Sequence, residues 1–111
     1  MQLTYAIKYV ADMDRAVAFH RDVLGLPLKF QSPEWSEFAT GGTTLALHAA
    51  SADKEAGTVE LGFGTDDVAA FYGRRDELGV EFTQPPKDMH GMKLAQFRDP
   101  DGADTSLGGK G

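Results

Sequence analysis

The residues 12–30, DMDRAVAFHRDVLGLPLKF, are written a second time in outline at 65–82, TDDVAAFYGRRDELGVEF. Each copy opens on acidic residues, continues with apolar residues at helical spacing, passes through Leu-Gly and ends in a short β-like run closed by Phe. Gly25 pairs with Gly79 in this alignment. The later segments align as well, Gly42 with Gly102, Leu47 with Leu107 and Ala46 with Ser106. A chain that writes one supersecondary unit twice is built from two copies of that unit, and this constrains the architecture more than any local signal.

Within each copy the order of elements is β-α-β-β-β. Residues 2–10 alternate like a strand, with Tyr5, Ile7 and Tyr9 on one face and Ala6, Lys8 and Val10 on the other. Asp12 or Asp14 is suited to cap the first helix, and Asp66 or Asp67 the second. Gly25 and Gly79 stand where a left-handed residue ends a helix. Strands are expected at 28–30, 35–40 and 43–48 in the first copy, and at 59–63, 80–83, 93–98 and 104–107 in the second. Residues 84–91, QPPKDMHG, read as a loop. The domain is expected to comprise a module at 1–50, a polar linker at 51–57 and a module at 58–107.

The resulting fold class is α+β, two repeated βαβββ modules forming an open, curved β-barrel with helices outside. Leu45, Leu47, Val59, Leu61 and Phe63 should then pack under the helices, and His20 should lie on the outer helix face. Lys8 falls on the helix side by the repeat and is expected to snorkel. Ala46, His48, Glu60 and, by repeat symmetry, Tyr5 and Ser106 are left to line the cavity.

Composition sets the limits on function. The chain has 111 residues, enough for one domain, with a net charge of −6 that disfavours nucleic acid and anionic membrane surfaces. There are no cysteines, which removes disulfides, thiolate metal sites and cysteine nucleophiles, and fits a cytoplasmic protein. The N-terminus shows neither a signal peptide nor a membrane span. No phosphate-binding loop, dinucleotide fingerprint or nucleophile elbow is present.

The segments VAD at 10–12, AFHRDVLGL at 18–26 and FRDPDG at 97–102 together resemble the vicinal oxygen chelate superfamily. That superfamily includes glyoxalase, bleomycin-resistance proteins, fosfomycin-resistance enzymes and extradiol dioxygenases. The resemblance spans the whole chain, including the duplication. It implies metal ligands on four strands, at positions matching Tyr5, Ala46, Glu60 and Ser106. Of these only Glu60 is a good ligand for a divalent ion. The resemblance also implies a homodimer with sites at or near the interface.

Two classes of function follow. In the first, the chain binds a small hydrophobic or aromatic molecule in the concave cavity with no cofactor. Tyr5, Tyr9, Trp35, Phe38, Met89 and Met92 are candidates for the apolar lining, and Ala46, His48, Glu60, His90 and Ser106 for the remaining contacts. In the second, a displaced set of His48, Glu60 and His90 holds Zn, Ni, Mn or Fe for a lyase, isomerase or dioxygenase reaction. A third reading makes Glu60 a metal-free general base in an epimerase-like reaction.

Overall fold

The computed structural model describes residues 1–111, which divide into two compact units. The first unit is Thr4–Val59; the second is Glu60–Gly111 together with Met1–Leu3.

In the first unit, strand β1 (Gln2–Val10) leads to helix α1 (Met13–Ala18), which continues as one π-helical turn, Phe19–Val23. Asp12 is the cap, its carboxylate accepting the Arg15 backbone N–H at 3.1 Å. The Leu24 N–H reaches back five residues to the Phe19 carbonyl, and Gly25 at φ +70° ends the helix. Strands β2 (Leu28–Phe30), β3 (Trp35–Ala39) and β4 (Thr44–Ala49) complete the unit. Its strand order is β2-β3-β4-β1, with β4 parallel to β1 and the other pairs antiparallel.

The second unit repeats the plan. Strand β5 (Val59–Thr65) precedes helices α2 (Val68–Gly73) and α3 (Arg75–Leu78), and Asp67 caps α2 through the Ala70 N–H at 2.9 Å. Gly79 at φ +72° ends α3, as Gly25 ends the first helix. Strands β6 (Glu81–Met89), β7 (Met92–Arg98) and β8 (Asp104–Gly109) follow, in the order β5-β8-β7-β6. The β5–β8 pair is parallel and the others antiparallel, as in the first unit.

Alternation along the strands decides what the helices cover. Met13 and Val17 of α1 pack on Phe38 and Leu47; Val68 of α2 packs with Ala95 and Leu107, and Phe63, Phe71, Phe82 and Phe97 pack against that cluster. Leu47 and Leu107, equivalent by the repeat, are both fully buried.

Several expectations need correction. His20 is 4% exposed and turned inward, not on the outer helix face. Its Nδ1 meets the Ala16 carbonyl at 2.7 Å, which can only accept, so Nδ1 carries the proton and Nε2 receives the Lys8 ammonium at 3.2 Å. Lys8 thus lies on the helix side as the repeat requires, with a partner there. Val59 and Leu61 are 56% and 43% exposed, so of the β5 aliphatic face only Phe63 joins the core. Phe38 is buried under α1 and lines no cavity. Residues 84–89, expected in a loop, extend β6, which bulges at two places and carries Pro85 and Pro86. Prolines are tolerated there because β6 is the outermost strand of its unit and their missing N–H groups break no inner ladder. The turn is only His90-Gly91, both at positive φ, the geometry of a two-residue hairpin. Residues 51–57 belong to the first unit, where the Gly57 N–H bonds the Tyr9 carbonyl and the Tyr9 N–H bonds the Thr58 carbonyl, each at 2.9 Å.

Candidate functional site

On the face of the first sheet away from α1, three strands present their side chains in rows. Register places Trp35 beside His48 and His48 beside Tyr9, with Glu37, Ala46 and Ile7 in the next row. Ala46 is fully buried, and Tyr5 and Trp35 pack against the cluster it forms with Ile7 and Tyr9. The Trp35 ring meets Tyr5 edge-on at 6.0 Å between centroids and His48 edge-on at 5.8 Å; His48 in turn lies 4.9 Å from Tyr9. Trp35 and Tyr5 come from strands separated by β4, so the indole reaches across a row whose floor is the small Ala46. Offset and edge-to-face geometries of this kind are the favoured arrangements of aromatic rings.

Polar atoms fix the wall. The Trp35 Nε1–H donates to Glu37 Oε2 at 2.8 Å, and the other Glu37 oxygen is 3.8 Å from the Lys29 ammonium. His48 Nδ1 bonds the Ala49 carbonyl at 2.7 Å, which puts the proton on Nδ1 and leaves Nε2 as the acceptor. The Lys54 ammonium stands 5.8 Å above the Tyr9 ring. Burial, and after it the negative charge of Glu37, hold the Tyr5 phenol above the ordinary tyrosine range.

The corresponding face of the second sheet is different. Glu60 is 2% exposed and accepts a hydrogen bond from the Ser106 hydroxyl. Ser106 is in register with Gly62 on one side and Gln96 on the other, and Gln96 faces Gln84. The adjoining pair is Gly64 with Gly108. No buried side-chain nitrogen or oxygen in the chain lacks a hydrogen-bond partner. Met92 and Met89 form the last pair of the β6–β7 hairpin, exposed beside the His90 turn.

These residues do not fit a divalent cation. Ala46 has no donor atom, the Tyr5 phenol is held protonated, and the Ser106 hydroxyl is given to Glu60. No three His, Cys, Asp or Glu side chains are grouped to hold an ion. Of the alternative set, His48 is stacked in the aromatic wall, Glu60 is buried and accepts the Ser106 hydroxyl, and His90 sits in an exposed turn at φ +52°.

Known proteins place the chain. The family described as Glyoxalase/Bleomycin resistance protein/Dioxygenase superfamily matches residues 2–107. The chain belongs to this superfamily. Among curated proteins it is 30% identical to the uncharacterized protein YraH of Bacillus subtilis (strain 168), over 91% of this chain and 92% of YraH. Among solved structures, a methylmalonyl-CoA epimerase from Mycobacterium tuberculosis is similar with a TM-score of 0.82 at 19% identity, covering 99% of this chain and 88% of that one. A superfamily member from Vibrio splendidus 12B01 is similar with a TM-score of 0.74 at 20% identity, over 96% and 97%. At these identities the structures show the shared fold: α+β, with two βαβββ modules of the glyoxalase/bleomycin-resistance kind. No helix is long and apolar enough to cross a membrane.

Proposed function

We propose that this superfamily member binds a small planar aromatic molecule on the wall formed by Tyr5, Tyr9, Trp35 and His48, without a metal ion. The carrying observation is the indole of Trp35, tied to Glu37 and packed against the cluster that holds Ala46, the strand position where metal-using relatives are expected to supply a donor. Rings offer stacking surface, and His48 Nε2 offers one acceptor, the composition of a small-molecule site. Glu60, buried beside Ser106, is the polar group of the second module and supports a second reading, that of a metal-free base acting on a bound substrate. The protein acts as a cytoplasmic homodimer; the exposed Phe19, Val23, Leu24 and Phe30 of the first unit support a self-association surface.

Trp35 is the single tryptophan, so its fluorescence reports on the wall directly. A panel of planar aromatic compounds should include members that change this emission saturably, with affinities unaltered by EDTA. His48→Ala should weaken them about tenfold, and light scattering should give twice the monomer mass. Failure of every compound to give a saturable change refutes the reading, and loss of binding in EDTA replaces it with a metal-dependent one. For the base reading, Glu60→Gln should abolish exchange of a bound substrate's acidic C–H with deuterated solvent while leaving affinity intact.

A further inference from the structure

We infer that the wall selects organic cations, a quaternary or protonated nitrogen carried on a planar ring, over neutral and anionic rings of the same size, and that Glu37 is the residue that imposes the selection. This rests on the proposed binding role of the same wall.

The Glu37 carboxylate is mostly buried, at 22% side-chain exposure, and Glu37 sits on β3 in register with Ala46, in the row next to Trp35, His48 and Tyr9. One oxygen accepts the indole N–H, which anchors it without cancelling its charge. The other faces Lys29 at 3.8 Å, a loose contact to a half-exposed ammonium. Such a pair is weak because solvent screens it and the lysine side chain must be held still. The Glu37 charge is therefore felt along the wall: Tyr5, edge-on to Trp35, is held above the ordinary tyrosine range by burial and, after it, by that charge.

One further feature acts in the same direction. The faces of Tyr, Trp and Phe rings carry negative potential and attract cations, most strongly when water is excluded. The Lys54 ammonium already stands over Tyr9, so a ligand cation is directed to Trp35 and Tyr5. A ligand ring laid against Trp35 would bring its charge toward Glu37, which holds the indole N–H. A ring cation gains from both the π faces and the carboxylate. An aromatic carboxylate meets repulsion from Glu37 with Lys29 and Lys54 as its only nearby compensation, and a neutral ring gains stacking alone.

Three bicyclic probes of nearly equal size separate these cases: N-methylquinolinium, quinoline and quinoline-2-carboxylate, titrated calorimetrically at pH 7 and low salt. The cation should bind about tenfold more tightly than quinoline, and the anion most weakly. Glu37→Gln keeps an acceptor for the indole N–H and should bring the cation to within about threefold of quinoline, the comparison being made within the variant. Lys29→Ala removes the competing ammonium and should raise the cation's advantage, which keeps the inference testable if the Glu37 variant folds poorly. Equal binding of cation and quinoline by the unaltered protein overturns the inference while leaving the aromatic site intact, and so does a preference that survives Glu37→Gln. If none of the three binds, the aromatic site itself is refuted.

Discussion

The two modules share one plan and gather their main aromatic clusters on opposite faces of it. In the second, Phe63, Phe71, Phe82 and Phe97 gather under the helix, with Phe82 and Phe97 at 5.6 Å between centroids. In the first, Tyr5, Tyr9, Trp35 and His48 gather on the face away from the helix. The second module's equivalent face carries Glu60, Ser106, Gln84, Gln96 and glycines. A duplicated unit needs only one apolar face to fold, so the other is free to diverge. Here one copy carries aromatic rings on that face and the other polar groups and bare backbone.

That contrast can be broken at several points. The largest effect belongs to the faces that did not diverge: Leu47→Ala and Leu107→Ala should each cost about 2–5 kcal/mol in urea unfolding, because each empties a fully buried site under a helix. A much smaller cost in one module would show that the repeat is not energetically symmetrical. Next, Ala46→His places a ring where the Trp35 indole rests, and overpacking of this kind costs about 1–3 kcal/mol. It should shift the Trp35 emission to longer wavelength and abolish aromatic binding, whereas Ser106→His, its equivalent by the repeat, should leave the emission unchanged. An unshifted spectrum in Ala46→His would mean the indole does not depend on that small floor.

Ser106→Ala withdraws a hydroxyl from the buried Glu60 and should cost about 1–2 kcal/mol without altering aromatic binding. Dependence of that binding on Ser106 would join the two faces into one site. The smallest effect is spectroscopic. Tyr5 should ionise above the ordinary tyrosine range in an absorbance titration, and Glu37→Gln should lower its value part of the way, since burial is the larger cause. For a group raised on folding, the associated stability is whole below the ordinary tyrosine value and is lost as pH rises through the raised one.

Much of this was legible in the residues. The repeat located both helices, both glycine caps and the pairing of Leu47 with Leu107, because periodicity and φ preference act locally. His20 was misplaced because the π turn adds a residue to the helical repeat and changes which side faces the sheet. Strand β6 was hidden by Pro85 and Pro86, which argue for a loop unless the strand is known to be outermost. Val59 and Leu61 alternate correctly, yet alternation does not say whether a helix extends over the start of a strand. At the site, the residue types at Tyr5, Ala46, Glu60 and Ser106 could be read directly from the sequence. The bond from Trp35 to Glu37 did not show, since contacts between neighbours on one strand face depend on rotamers that no spacing rule encodes.

The outermost strands carry a consequence for solubility at high concentration. Chains that leave a long bare strand at a sheet margin can recruit one another by adding strand to strand, the first step toward fibrils. Here the outermost strand of the first unit is β2, three residues long, and that of the second is β6, where two consecutive prolines interrupt the row of donors. Neither offers a template on which a second molecule can polymerise, so crowding should not drive strand-to-strand growth of this protein.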